Sequence, residues 1–307
     1  MRYYKQTIIE TPCDFSFLAT LHSHGWVQLA PFLYDPVNRR LDYPVNSKGV
    51  ECLISLSFDS DNSIILEVNS DNAIGKLELS EINRLVLRIF GLHNDIGDLH
   101  RLVNKFPEYS WISRYKLGRF LASPTLWEDM VKTIATTNIT WDQTIGICTN
   151  LVALGKPILG RHCFPTPDEI AQIDLVEFSA LTKLGYRAKH VHELANLIIS
   201  GALDLEALAD SSGPRENLYS SILSLKGFGP YSAGNVLRVM GRHERLAIDS
   251  VVRNSLSVQF YKGKKPTDLQ IERRYKKFGV WAGLIMWCEV TKDSLIERLE
   301  VSKSLSE

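Results

Sequence analysis

The first 80 or so residues alternate between apolar and polar positions. Phe15, Phe17, Ala19 and Leu21 fall on every second position among Ser16, Leu18, Thr20 and His22, the period of a half-buried strand. Leu53, Leu56 and Phe58 form a second strand-like run, and Ile64, Ile65, Leu66 and Val68 a third. Asp35-Pro36, Asn46-Ser47-Lys48-Gly49 and Ser60-Asp61-Asn62 punctuate this region with residue types that turns favour. Strands joined by short turns predict an antiparallel sheet. At Ser80 the period changes. Ser80 is a favourable N-cap, Ile82, Leu85, Val86 and Ile89 share one helical face, and Gly91 is placed to end the helix. Ser123-Pro124 opens another helix, with Leu126, Trp127, Met130, Val131 and Ile134 inward. Phe164-Pro165-Thr166-Pro167-Asp168-Glu169 reads as a turn entering a new helix. Pro214 opens a further one, with Leu218, Ile222 and Leu225 at helical spacing. The pattern predicts an α+β fold. A β-rich, antiparallel-sheet domain spans residues 1–79, and an all-α domain spans residues 80–307.

Composition narrows the class. A chain of 307 residues can bury a sizeable core. It has no long apolar run for a membrane span and no signal-peptide pattern at its start, so a cytoplasmic location, or a nuclear one in a eukaryote, is expected. The five cysteines are scattered and odd in number, which suits a reducing compartment, and no Cys-x-x-Cys supports a zinc ribbon or iron–sulfur cluster. Net charge is zero but uneven. Residues 1–100 hold about 8 Lys/Arg against 13 Asp/Glu, whereas residues 215–280 hold about 13 against 5. Lys262, Lys264, Lys265, Arg273, Arg274, Lys276 and Lys277 fit a phosphate-facing surface and a merely solvated helix face equally well. His22-Ser23-His24 and His190-Val191-His192 would each put two imidazoles on one face of a strand, with no third metal ligand evident.

The most informative stretch is Leu225–Asn235, LKGFGPYSAGN, followed by Leu246-Ala247-Ile248-Asp249-Ser250. A Gly-x-Gly turn lies between helix-compatible runs, and Pro230 stands where the second helix would start. The glycines permit close backbone approach, and the exposed N–H groups of a helix start attract anions. Asp249 then supplies a lone carboxylate beyond the second helix. The arrangement suits a phosphate grip with a reactive carboxylate beside it. An ordinary turn and a helix-capping Asp249 remain open as the plainer reading.

This layout resembles the helix-hairpin-helix (HhH-GPD) superfamily of base-excision DNA glycosylases, and is closest to that of bacterial 3-methyladenine DNA glycosylase II and 8-oxoguanine DNA glycosylase. The likeness runs from about Ser80 to Asp293. It extends more loosely to the N-terminal sheet, where Gly25-Trp26 and Pro31-Phe32 carry it. Ile134-Ala135-Thr136-Thr137-Asn138 is similar to the segment that fills the gap left by an extruded base. Leu184-Gly185-Tyr186-Arg187-Ala188 is similar to the segment whose aromatic residue wedges into the duplex, and Phe278–Leu284 to the closing helix beside the active site. The resemblance implies Asp249 as the catalytic residue. It implies Lys226, Gly227, Gly229, Asn138, Tyr186 and Arg187 as DNA-binding residues. It also implies a monomer acting on double-stranded DNA that contains a damaged base, without an organic cofactor. A monovalent Na+ or K+ at the hairpin carbonyls of Leu225 and Phe228 would fit the same resemblance. Tyr186 as a core aromatic and Asn138 as a helix C-cap stay open.

Residue 231 bears on the chemistry. Family members that also cut the strand carry a lysine there, and this chain has Tyr231, which implies a monofunctional glycosylase. Asp249 would stabilise the oxocarbenium-like sugar and orient water. Tyr231 and Trp287 match aromatic positions of the base pocket in the 3-methyladenine enzymes and point to an alkylated, cationic purine through cation–π attraction. Core packing explains Trp287 equally well. The family's base-reading Gln on the closing helix falls at Met286, against an 8-oxoguanine-type enzyme, which remains an alternative. A non-catalytic helix-hairpin-helix DNA-binding protein is the other.

Overall fold

The computed structural model describes residues 2–58, 63–209 and 215–304. Five antiparallel strands, β1 (Tyr3–Glu10), β2 (Leu33–Asp35), β3 (Arg40–Ser47), β4 (Val50–Ser57) and β5 (Ser63–Ser70), form one sheet in the order β1-β5-β4-β3-β2. The register explains the order. Leu41 faces Leu56, which faces Leu66, and Tyr43 faces Ile54, which faces Val68. These six side chains are buried, so a one-residue slip would turn the rows to water. The predicted strand at Phe15–His22 is instead a short helix, α1 (Phe17–Leu21), capped by the Ser16 hydroxyl, which accepts the Ala19 N–H at 3.3 Å. All five of its residues are buried. The alternation misleads because Leu18 and Thr20, on the supposedly polar side, also face the core. The turn predicted at Ser60-Asp61-Asn62 and the helix start at Pro214 lie outside the described residues.

The next helix, α2 (Lys76–Ile89), begins at the Gly75 N-cap, so Ser80 lies inside it. Lys76-Leu77-Glu78-Leu79 is made of strong helix formers, and propensity carries the helix back beyond its buried face. Ile82, Leu85, Val86 and Ile89 form that face, and Gly91, at φ +58°, ends the helix. The remaining helices are α3 (Gly97–Val103), α4 (Ser110–Arg114), α5 (Leu126–Ala135), α6 (Trp141–Val152), α7 (Pro167–Ala171), α8 (Leu175–Thr182), α9 (Arg187–Ile199), α10 (Leu205–Ala209), α11 (Arg215–Ser224), α12 (Pro230–Val239), α13 (Ser250–Phe260), α14 (Asp268–Tyr275) and α15 (Ala282–Ser304). A two-residue ladder, β6 (Pro157–Ile158) with β7 (Arg161–His162), interrupts them and is too short to leave a periodic signal. α5 starts at the Thr125 cap, two residues later than Ser123-Pro124 suggests. α7 starts as expected, with Pro167 at its first turn behind a Thr166–Glu169 capping box. No helix among the described residues is long and apolar enough to cross a membrane.

Buried polar contacts lock α5 to the N-terminal region. Lys132 Nζ lies 2.7 Å from Glu128 Oε1, and the Tyr43 hydroxyl donates to the other carboxylate oxygen. Asp129 accepts from Trp26 Nε1 at 2.8 Å and pairs with Arg88 at 3.0 Å. α15 returns to the N-terminal segment, where Trp287 Nε1 donates to the Ser23 carbonyl at 2.9 Å and His22 Nε2 meets Ser302 Oγ at 3.0 Å. The N-terminal segment and the last helix thereby share one wall of a cleft.

Candidate active site

The hairpin joins α11 to α12. Leu218 and Ile222 of α11 and Phe228 of the turn are buried and anchor it. Gly227 has φ +90°, and a Cβ there would stand 2.9 Å from the Cβ of His190 on α9. Gly229 is unlike it: its φ is −103°, and a Cβ would meet nothing within 4 Å. Its N–H donates to Ser232 Oγ at 2.8 Å, and Pro230 occupies the first helical turn. The two glycines therefore predict different outcomes. Gly227→Ala should destabilise the fold by about 1–2 kcal/mol, since a side chain must adopt the left-handed region against His190. If the hairpin grips phosphate, as its sequence leads one to expect, the variant should also weaken binding to damaged and undamaged duplexes alike, because phosphate contacts carry no sequence information. Gly229→Ala should melt normally, and any loss should appear only as weakened duplex binding. Equal melting temperatures for both variants would contradict this assignment.

On α12, Tyr231, Asn235 and Arg238 follow at i, i+4 and i+7 and share one face. Two other glycines set the approach of the segment that ends at Asp249. A Cβ on Gly234 would be 3.2 Å from that of Ala247, and one on Gly283 would be 2.1 Å from the Arg245 carbonyl. Gly283 N–H also donates to the His243 carbonyl at 2.8 Å. Held between α12 and the start of α15, the chain delivers Asp249 as the N-cap of α13, where Oδ1 accepts the Val252 N–H at 2.7 Å. Asp249 is therefore a helix cap and also part of the cleft wall.

The cleft has a volume of about 790 Å³. It gathers Asp249, Tyr231, Trp287, Gly227, Gly229, Asn138 and Tyr186, residues spread over 150 positions of sequence. The Tyr231 hydroxyl lies near Asp249 and Asn235. Burial, then the Asp249 charge, raises its pKa above the ordinary phenol value. At the mouth, Asn138 adopts φ +53° beyond the Thr136 C-cap and donates from Nδ2 to the Tyr186 hydroxyl at 3.2 Å. Tyr186 is 59% exposed, so it is not a core aromatic.

Several expected roles change. Arg187 is 5% exposed, and its Nε donates to the Thr137 carbonyl at 2.8 Å. It braces the Asn138 segment from inside and has no free donor edge for phosphate. Lys226 is exposed but ion-paired with Glu193 at 2.5 Å, so a phosphate would compete with that carboxylate. The basic run from Lys262 to Lys277 contributes nothing to the cleft lining; Arg273, Arg274 and Lys277 border a separate hollow of about 780 Å³. Arg274 there is paired with Glu289 at 2.9 Å. His190 and His192 lie on a helix, where positions two apart point away from each other, and His22 and His24 lie beyond α1. Among the described residues no cluster of three His, Cys, Asp or Glu side chains could hold a metal. At the hairpin, the Leu225 carbonyl accepts the Phe228 N–H at 3.2 Å and keeps a second lone pair. An ion there would be held by neutral main-chain carbonyls, a donor set suited to a monovalent cation. Met286 is fully buried and does not line the cleft, whereas its neighbour Trp287 does.

Three polar or aromatic residues of the cleft, Trp141, Asn235 and Arg238, leave little signal in the sequence. Trp141 is 37% exposed at the mouth and donates from Nε1 to Gln28 Oε1 at 2.5 Å, its ring lying directly over Gly25. Asn235 and Arg238 were readable only as polar residues on the face that Tyr231 begins.

Residues 131–279 match the family described as HhH-GPD superfamily base excision DNA repair protein, a span that includes Asn138, Tyr186, the hairpin and Asp249. The Bacillus subtilis protein named "Putative DNA-3-methyladenine glycosylase YfjP" is 24% identical over 140 residues, 44% of this chain. The match spans about half of that relative, 48% of its length. The 3-methyladenine DNA-glycosylase of Archaeoglobus fulgidus shares the fold with a TM-score of 0.74 and 17% identity, over 93% of this chain and 98% of that one. The 8-oxoguanine glycosylase/lyase of Clostridium acetobutylicum does so with a TM-score of 0.71 and 18% identity, over 94% and 98%. These two structures establish a common architecture and leave the choice of base open. With the hairpin and the aspartate both inside the matched segment, residues 131–279, just under half of the chain, match the HhH-GPD superfamily of base excision DNA repair proteins, and the rest of the chain shares the sheet-plus-helix architecture of its solved neighbours.

Proposed function

We propose that this protein is a monofunctional DNA glycosylase that extrudes a damaged purine from duplex DNA and hydrolyses its N-glycosidic bond. The observation that carries the reading is Asp249 in a cleft of about 790 Å³ beside the hairpin, with no lysine among the described residues that line it. The hairpin would hold phosphate, and Tyr186 with Asn138 would offset the few kcal/mol lost when a base leaves the stack. Asp249 would stabilise the sugar cation and take a proton from the attacking water. The nearby amine of Lys132 is fully buried and paired with Glu128, which removes it as a nucleophile.

An alkylated purine is supported by the two rings in the cleft wall, Tyr231 and Trp287, and by the printed name of the Bacillus subtilis relative. One observation favours a different charge on the base: the Trp287 ring already carries the Arg238 guanidinium.

Borohydride tests the monofunctional part. The protein should yield no covalent adduct with lesion-bearing DNA, because trapping needs an imine and hence an available amine. The strand should stay whole until alkali is added. Efficient trapping would show that an amine attacks the sugar and would overturn this assignment.

A further inference from the structure

Arg238 sits in the cleft wall and is 5% exposed. Its guanidinium lies 4.7 Å from the Trp287 ring centroid. Nη1 donates to Asn235 Oδ1 at 3.0 Å, while Nε and Nη2 have no hydrogen-bond partner. Those two nitrogens form the side-on fork of the guanidinium, which matches a pair of adjacent acceptors. Leaving buried charged donors unmade is costly, so the wall is incomplete without acceptors from elsewhere. The neighbouring imidazoles do not supply them. His24 and His243 are buried and held neutral, their pKa values lowered to about 3 by burial and by the Arg238 charge, and each keeps a ring nitrogen without a partner. Burial lowers Arg238 only to about 10, so it stays a cation at neutral pH.

We propose that Arg238 receives the departing base, and that this base is a neutral 6-oxopurine with acceptors at O6 and N7 rather than a cationic alkylated purine. The inference rests on the glycosylase reading. It follows from where charge develops. When the C1′–N9 bond breaks, its electron pair stays on the base. A cationic base then leaves as a neutral molecule and needs little help. A neutral base leaves as an anion whose charge spreads to O6 and N7, the edge an arginine fork matches. Water adds its oxygen to C1′, and its proton passes through Asp249 and solvent to the base, so the products are neutral base and abasic sugar. A donor pair aimed at the developing anion lowers this barrier. A cationic base, by contrast, finds the Trp287 face occupied and a like charge beside it.

Single-turnover release from duplexes carrying hypoxanthine or 7-methylguanine tests this. The native protein should release hypoxanthine faster. Arg238→Gln should lower hypoxanthine release by at least about a hundredfold and raise 7-methylguanine release, while Arg238→Lys should recover part of the loss. Free hypoxanthine binding, read by tryptophan fluorescence, should weaken at least about tenfold in Arg238→Gln. If Arg238→Gln fails to fold, the native preference and its change in Arg238→Lys decide the question. Parallel loss on both lesions, or a native preference for 7-methylguanine, would overturn the inference and leave the glycosylase reading standing. Release of no base from any damaged duplex that still binds would instead overturn the glycosylase reading and this inference with it.

Discussion

Asp249→Asn should reduce base release by at least about a hundredfold while leaving the fold and duplex binding nearly unchanged. The substitution is unusually clean because of where Asp249 sits. Its Oδ1 accepts the Val252 N–H at 2.7 Å, and Asn is as good an N-cap as Asp. The neighbouring Tyr231 hydroxyl meets a polar group of the same shape in either case. Only the negative charge is lost. Asp249→Ala would remove the cap as well and should cost about 1 kcal/mol of stability in addition. Chromatographic release assays, with melting curves alongside, separate the two effects. Undiminished release by Asp249→Asn would return Asp249 to the role of a cap alone.

Glu128→Ala should be among the most destabilising single changes in the chain, by about 3–5 kcal/mol. Glu128 and Lys132 are both fully enclosed, and the variant leaves the Lys132 ammonium buried without a counter-charge, against Ser123 Oγ at 3.5 Å and the Phe32 ring, whose centroid is 4.8 Å away. The Tyr43 hydroxyl loses its acceptor at the same time. Because α5 carries Thr133, Ile134 and the segment ending in Asn138, the cleft should loosen with it. The urea midpoint at constant slope measures the loss. A loss below about 1 kcal/mol would mean that Lys132 reaches water or neutralises without penalty.

The parts of the molecule legible in the sequence are those fixed by local chemistry. The Gly-x-Gly-Pro order dictates a tight turn before a helix, and that turn is present with Gly227 at positive φ and Pro230 in the first turn. The alternation around β4 and β5 is legible because each has one core face and one less buried face. Phe17–Leu21 is not, since an element buried all round leaves no contrast to read. Residues far apart in sequence meet only through tertiary packing. Asn138 and Tyr186 are each suggested by a short segment, yet their hydrogen bond is visible only in the fold. The basic run after Phe260 misdirects because charge density along a chain is not charge density at a site. Arg238 is hidden for the opposite reason. A charged residue seven positions after Tyr231 reads as solvent-facing, and only packing reveals that Phe120 and Trp287 enclose it.

The most direct measurement is free base released from a duplex carrying one damaged purine, with the protein in excess and the strand followed on a denaturing gel. A glycosylase without lyase activity gives one intact base per duplex and an unbroken abasic strand that falls apart only in alkali. Tight binding to the same duplexes with no base released from any lesion would contradict that reading and make the protein a hairpin-bearing DNA-binding module.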